Sequence, residues 1–152
     1  MTLIKQGTAE VRTGDADDPL GAYRAERISD TGGLTQFGAF VEELPPGSSS
    51  SISHWHANED EMVFVLDGTL TLTENDETTV LVQGDSACWR AGEAVAHSLH
   101  NHADQPARYM VIGTRAPQDT VTYPDRDRVL HHDRTKNTRR YTTLDGRPAT
   151  RP

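Results

Sequence analysis

Residues 47–68 read GSSSSISHWHANEDEMVFVLDG, and the prediction of the fold starts from this stretch. Residues 61–66 form an apolar, β-rich run. The pair Asp67-Gly68 predicts a type I′ hairpin turn, which requires positive φ angles. Residues 69–73 then alternate polar and apolar side chains, as expected for a half-buried strand. The stretch therefore predicts two neighbouring antiparallel strands.

Short strand-like segments continue on both sides of this stretch. They are separated by turn residues, recur about every 8–12 residues and show no helical period. This pattern is typical of an all-β antiparallel sandwich or barrel. The further segments are residues 34–41, 78–82, 86–89, 97–101 and 108–114.

The chain of 152 residues has the length of one domain. We expect residues 34–113 to form its core. Residues 1–33 are expected to form an N-terminal arm with an edge strand. Residues 114–152 are expected to form a C-terminal arm packed on the barrel or on a neighbouring subunit, ordered mainly at 129–130 and 141–144.

Charge and composition exclude several classes of protein. The net charge of −8 divides into −12 for residues 1–113 and +4 for residues 114–152. An acidic body would repel phosphates, so we expect no nucleic-acid partner. No apolar run is long enough for a membrane-spanning helix, and we expect no membrane partner. With Cys88 as the single cysteine and no apolar signal segment, we expect a cytoplasmic protein.

Histidines point to a metal site. Two of them, His54 and His56, lie two residues apart, so on a strand both imidazoles face the same side. Glu61 follows at the start of the next strand, and His97 lies on a later one. Imidazole and carboxylate groups together are suitable ligands for a divalent transition metal.

Two spacings in the chain resemble the motifs of the cupin superfamily. Residues 47–68 follow G-x6-H-W-H-x4-E-x6-G, which is similar to the first cupin motif, G-x5-H-x-H-x3,4-E-x6-G. Residues 84–101 follow G-x5-R-A-G-x4-H-x3-N, which is similar to the second, G-x5-P-x-G-x2-H-x3-N. The resemblance covers roughly residues 34–113.

The second motif departs from the cupin pattern at two points. Arg90 stands where a proline is usual, and the gap between Gly92 and His97 is two residues longer. His100 is therefore an alternative to His97 as the ligand of this motif. His97 keeps the three-residue spacing to Asn101.

The resemblance implies a single antiparallel jelly-roll β-barrel with one metal site. Its ligands would be His54, His56, Glu61 and His97. The resemblance also implies one divalent transition metal, such as zinc, iron, manganese or nickel. Three imidazoles and one carboxylate do not select among these metals.

Two classes of function follow from such a site. We expect a small metalloenzyme of the dioxygenase, isomerase or lyase type that acts on a small polar metabolite. The alternative is a non-catalytic module that binds or senses a metal or a metabolite. Tyr109 and Arg90 are the candidate catalytic residues, and Tyr23 is a further candidate by position.

The strand that begins at Glu61 also predicts an interface. If Glu61 faces the metal, the residues that alternate with it must face the outside of the sheet. These are Met62, Phe64 and Leu66, an apolar stripe that requires cover. We therefore expect a homodimer.

Overall fold

The computed structural model describes residues 2–152, in which strands dominate and the two helical segments are short turns: α1 (Ile28–Thr31) and a 3₁₀ turn (Pro124–Arg126). No helix in this part of the chain is long and apolar enough to cross a membrane. The strands are β1 (Glu10–Gly14), β2 (Tyr23–Arg27), β3 (Phe37–Leu44), β4 (Trp55–His56), β5 (Glu61–Asp67), β6 (Thr69–Glu74), β7 (Glu77–Val82), β8 (Ser86–Trp89), β9 (His97–His100), β10 (Ala107–Thr114), β11 (Gln118–Tyr123), β12 (Arg128–Asp133), β13 (Thr138–Thr142) and β14 (Pro148–Ala149).

These strands form three antiparallel sheets. The orders are β1-β2-β3-β10-β5-β8, β7-β6-β9 and β14-β13-β12-β11-β4. Strands that are distant in the chain lie side by side, as where β10 pairs with both β3 and β5. The predicted antiparallel jelly-roll barrel is confirmed.

The apolar core lies between the six-stranded and the three-stranded sheets. Every second residue of β5 and β6 points into it, as the alternation in the sequence predicts. Full burial of one such side chain contributes about 1.5–3 kcal/mol. The core cluster consists of Leu44, Val63, Val65, Leu70, Leu72, Leu81, Trp89, Leu99, Ala107, Tyr109 and Val111.

The predicted hairpin at Asp67-Gly68 is wrong. Strand β5 belongs to the six-stranded sheet and β6 to the three-stranded sheet, so the chain changes sheets here. Gly68 has φ +80°, and a Cβ atom at this position would lie 2.9 Å from both the Ala107 Cα and the Pro106 carbonyl oxygen. The glycine therefore serves a closely packed barrel corner, not a hairpin turn.

The expectation that residues 114–152 are ordered mainly at 129–130 and 141–144 is wrong. Strands β11 to β13 pair with one another, and β11 pairs with β4 through Val121 and His56. The sheet formed by β14, β13, β12, β11 and β4 has few buried apolar side chains, such as Val121 and Leu130. The sequence therefore shows little apolar alternation here. At the other end of the chain, β1 and β2 extend the six-stranded sheet beyond β3.

Candidate metal centre

The four predicted ligands come from strand ends that the barrel brings together. His54 lies just before β4, and its backbone exchanges two hydrogen bonds with His97, the first residue of β9, with N···O distances of 3.2 and 3.0 Å. His56 ends β4, and Glu61 begins β5. Backbone pairing therefore positions all four side chains.

Their donor atoms face one space. The carboxylate oxygens of Glu61 lie 3.5 Å from His56 Nε2 and 3.8 Å from His97 Nε2. One donor atom from each of His54, His56 and Glu61 lies within 4.8 Å of the others. The ring centroids of His54 and His97 are 5.2 Å apart.

Two of the imidazoles are oriented by backbone carbonyls. His54 Nδ1 lies 2.8 Å from the oxygen of Ile52, and His97 Nδ1 lies 3.1 Å from the oxygen of Val95. A carbonyl oxygen can only accept, so Nδ1 carries the proton in each ring. In a neutral ring, Nε2 then keeps a free lone pair.

His56 is oriented by a carboxylate from the C-terminal sheet. Its Nδ1 lies 2.6 Å from Oδ2 of Asp119, which is buried and also accepts the Asn58 backbone N–H at 3.0 Å. Burial alone would lower the pKa of His56. The hydrogen bond to Asp119 and the charge of Glu61 outweigh burial and raise it. A histidine that ligates a metal commonly donates its other ring N–H to a carboxylate, which fixes the orientation of the ring.

The surroundings of the His97 ring show whether the site suits a cation. The ring stacks on Trp89 with centroids 3.7 Å apart, and Trp89 Nε1 donates to Glu74 at 2.7 Å. Within residues 2–152, His97 Nε2 is the buried side-chain nitrogen or oxygen atom that has no hydrogen-bond partner. Burying such an atom without a partner is unfavourable, so a ligand at this nitrogen is expected.

The charges of His54 and Glu61 agree with this requirement. Burial lowers the pKa of His54 to about 4 although Glu61 opposes the shift, so His54 is neutral at pH 7. Burial would raise the pKa of Glu61, but the adjacent imidazoles of His97 and His54 lower it overall. Neutral imidazoles and an ionised carboxylate are the forms that ligate metals. The residues thus fit a divalent transition cation.

The structure brings His97, not His100, to this cluster. His100 lies on the same strand, but its Nδ1 is 2.7 Å from Ser49 Oγ and its ring packs 3.9 Å from that of His102. Because His97 and Leu99 take the buried positions of β9, His100 takes the other face.

Arg90 does not reach the site. Its side chain is 85% exposed and lies 3.6 Å from Glu93. Trp89, at the end of β8, occupies the inward position, so Arg90 begins the following turn and extends into solvent.

Tyr109 does reach the site, together with a carboxylate that the sequence reasoning missed. Tyr109 is 1% exposed, and its hydroxyl donates to Glu42 Oε1 at 2.5 Å. Burial raises the pKa of Glu42 to about 7, although Tyr109 and the charge of Arg12 oppose the shift. Burial and Glu42 raise the pKa of Tyr109 well above its usual 10.0.

Two cavities connect these groups. An inner cavity of about 200 Å³ is lined by Glu42 and Tyr109 together with His54, Glu61 and His97. An outer cavity of about 410 Å³ shares Glu42 and His54 with it. The outer cavity is also lined by Tyr23, which the sequence offered as a further candidate by position. The arrangement combines a cluster of candidate metal ligands with a titratable carboxylate at the end of an accessible cleft.

Comparison with known proteins identifies the family. Residues 40–113 match the family described as Cupin domain. A solved structure from Silicibacter pomeroyi, a sugar phosphate isomerase from a cupin superfamily, is 33% identical and has a TM-score of 0.89. The match covers 98% of this chain and 97% of that one. The chain belongs to the cupin superfamily.

Two further structures resemble this cupin. A protein from Acidithiobacillus ferrooxidans, provisionally described as a sugar phosphate isomerase, is 25% identical over 99% of this chain and 97% of that one, with a TM-score of 0.85. A polyketide cyclase from Streptomyces resistomycificus is 20% identical over 75% and 79%, with a TM-score of 0.60, and shows the fold alone. No curated protein is significantly similar in sequence.

Three residues of the cupin site lay outside the sequence reasoning. Glu42 had a detectable signal, because it is a lone carboxylate on the inward face of β3 between Phe40 and Leu44. No pattern in the sequence indicates the stacking of Trp89 on His97. Asp119 had no detectable signal either, because it lies in a polar strand far along the chain from His56.

Proposed function

We propose that this cupin is a metal-dependent isomerase of a phosphorylated sugar, in which Glu42 transfers the proton and Tyr109 holds the Glu42 carboxylate in place. The observation that carries the proposal is the shared inner cavity. It is lined by the buried Glu42–Tyr109 pair and by His54, Glu61 and His97. The similarity to the Silicibacter pomeroyi sugar phosphate isomerase, which extends over nearly the whole chain, supports the choice of reaction.

The reaction needs a base, but no oxidant. In an aldose–ketose isomerisation, a base takes the proton from the carbon next to the carbonyl, and the C–H electron pair forms a C=C bond. The neighbouring hydroxyl loses its proton and becomes the new carbonyl, while the former carbonyl oxygen gains a proton in exchange and becomes a hydroxyl. The same base returns its own proton to the former carbonyl carbon. A carboxyl group with a pKa of about 7, such as that of Glu42, can take and return this proton near neutral pH.

The other residues have supporting roles in the proposal. A divalent cation held by His54, His56, Glu61 and His97 would polarise the substrate carbonyl. Tyr109 keeps its proton at neutral pH and holds the Glu42 carboxylate by its hydrogen bond. The burial of this pair restricts access of water to the proton-transfer step.

The test is turnover of aldose phosphates by the metal-loaded protein in D₂O, followed by NMR. We expect conversion to the ketose phosphate with deuterium at the former carbonyl carbon, which receives the proton that the base returns after exchange with the solvent. Glu42→Gln should lower kcat by about 10²–10⁴-fold while metal content stays unchanged. Glu43→Gln is the matched control, because Glu43 is the next residue on β3 and pairs at the surface with Arg108 at 4.0 Å.

Three outcomes would contradict the proposal in distinct ways. Turnover by Glu42→Gln at the wild-type rate would exclude proton transfer by Glu42. An equal loss of activity in the two variants would also remove Glu42 from its role. Metal binding without turnover of any aldose phosphate would favour the non-catalytic binding module.

The homodimer and the cytoplasmic location stay predictions. The outward stripe of β5 agrees with the sequence analysis, since Phe64 is 37% exposed while Val63 and Val65 are buried. The stripe is continued on β10, where Met110 pairs with Phe64 and Ile112 with Met62. We propose that a second copy covers this apolar face.

A further inference from the structure

The outer cavity is bordered by four arginines from distant parts of the chain. Arg12 lies on β1 and Arg27 on β2, while Arg139 on β13 and Arg151 come from the C-terminal region. Arg27 is neutralised by Glu10 at 3.1 Å and by Asp30 at 2.6 Å.

Arg12, Arg139 and Arg151 form no ion pair with any residue from 2 to 152, although the chain carries a net charge of −8. Three guanidinium groups without carboxylate partners border one cavity. Asp18, a carboxylate at the same rim, accepts the Leu20 backbone N–H at 2.9 Å. The excess positive charge at this rim is complementary to an anion.

The strand register relates this rim to the proposed base. Arg12 pairs with Ala25, Ala25 with Glu42, and Glu42 with Tyr109, so all four lie in one row across the sheet. Neighbouring strands are about 4.8 Å apart, which puts the backbones of Arg12 and Glu42 about 10 Å from each other. The long Arg12 side chain can therefore hold one end of a ligand whose other end reaches Glu42.

The C-terminal arginines approach the site from the opposite side. Arg139 and Arg151 are close enough to Tyr123 to affect its pKa, which burial nevertheless raises. The ring of Tyr123 lies 5.7 Å from that of His54. The cavity thus runs from the arginines past Tyr123 to the candidate metal ligand.

We propose that Arg12, Arg139 and Arg151 bind the phosphate group of the substrate and hold its carbon chain toward Glu42 and the metal cluster. The basic C-terminal segment thereby supplies substrate specificity. The proposal rests on the proposed function for the identity of the substrate, whereas the anion site itself rests only on the geometry of the cavity. Phosphate is favoured over carboxylate, because a dianion can engage several guanidinium groups at once.

The test measures binding of inorganic phosphate by isothermal titration calorimetry to the metal-loaded protein. The measurement is repeated after chelation of the metal and with acetate as the carboxylate probe. We expect Arg139→Ala and Arg12→Ala to weaken phosphate binding about tenfold or more, because each removes charge-assisted hydrogen bonds to the phosphate. Arg139→Lys should retain part of the affinity, since it keeps the charge but loses the bidentate geometry.

Arg140→Ala is the matched control. Arg140 is the next residue on β13 but lines a different cavity, together with Thr138 and Asp119. We expect its phosphate affinity to equal that of the wild type. Equal losses of phosphate affinity in Arg139→Ala and Arg140→Ala would overturn the proposal. Phosphate binding that disappears when the metal is chelated, and that is unchanged in the arginine variants, would also overturn it. Acetate binding as tight as phosphate binding would also overturn it.

Kinetics separate this proposal from the proposed function. If the chain is an isomerase, Arg139→Ala should raise KM for the sugar phosphate with a smaller change in kcat and no change for the unphosphorylated sugar. Phosphate binding that depends on the arginines but occurs without any isomerase activity would support the anion site and refute the activity. Isomerase activity with an unchanged KM in Arg139→Ala would refute the anion site alone.

Discussion

At the scale of single residues, Glu42 should make the stability of this cupin depend on pH. In the unfolded chain the carboxyl group releases its proton near 4.5, whereas burial raises its pKa to about 7 in the fold. Between these values the folded state binds more protons, so stability falls as pH rises. Above pH 7 the buried charge costs about 3 kcal/mol.

Glu42→Gln should therefore be more stable than the wild type above pH 7 and similar to it below pH 4.5. Glutamine has the shape of the protonated carboxyl group and still accepts the Tyr109 hydroxyl. Urea denaturation of the two metal-free proteins at both pH values measures the difference. A constant difference across this range would show that Glu42 does not titrate as described.

Asp119 should control metal affinity without touching the metal. Its hydrogen bond to His56 Nδ1 fixes the tautomer and orientation of that ring. We expect Asp119→Asn to weaken metal binding about 10–100-fold, measured by competition with a chromogenic chelator. Asp125→Asn, in the exposed 3₁₀ turn, is the control and should bind as the wild type does. Unchanged affinity in Asp119→Asn would separate this carboxylate from the metal site.

At the scale of elements, the corner between β5 and β6 should depend on Gly68. An alanine there would need φ near +80° and would place its Cβ atom 2.9 Å from Ala107 Cα. Gly47 has φ +83° with no atom within 4 Å of an added Cβ. Gly47→Ala therefore measures the backbone strain of a non-glycine residue at positive φ alone, about 1–2 kcal/mol. We expect a larger fall in Tm for Gly68→Ala. Equal falls would mean that the corner relaxes freely.

The same corner shows where sequence reasoning reached its limit. The strand positions followed from alternation, because the core buries every second residue of β5 and β6. The pairing of β5 and β6 could not be predicted in this way. Asp67-Gly68 has the composition of a hairpin turn but occupies a corner that packs against the distant Ala107. The ligand histidines were predictable from their spacing on strands. Asp119 was not, because its contact with His56 exists only after the C-terminal sheet has formed.

At the scale of the whole molecule, the outward stripe of β5 predicts a homodimer. Phe64 on this stripe is 37% exposed beside half-buried Met62 and Met110. We expect size-exclusion chromatography with light scattering to give the mass of two chains. Phe64→Glu should shift the mass toward one chain, because it places a charge in an apolar contact. Leu144→Glu, 54% exposed and remote in the chain, should leave the mass unchanged. A wild-type mass of one chain would refute the dimer.

The molecule as a whole is a barrel whose site depends on both chain ends. The N-terminal strand β1 contributes Arg12, and the C-terminal segment contributes Asp119 and Arg139 to the site and its cavity. The −12 and +4 portions of the chain thus meet at one cleft. The basic segment contributes Arg139 and Arg151 to the rim of the outer cavity, which Glu42 also lines, and Glu61 lines the inner cavity beside it.

The metal content of four histidine variants tests most directly whether His54, His56 and His97 bind a metal ion. Inductively coupled plasma mass spectrometry of the wild type, purified without a chelating resin, should find one divalent transition metal per chain. His54→Ala, His56→Ala and His97→Ala should lose it, whereas His100→Ala should retain it because His100 faces Ser49. Full metal content in His54→Ala and His56→Ala, or loss of the metal from His100→Ala alone, would contradict the account.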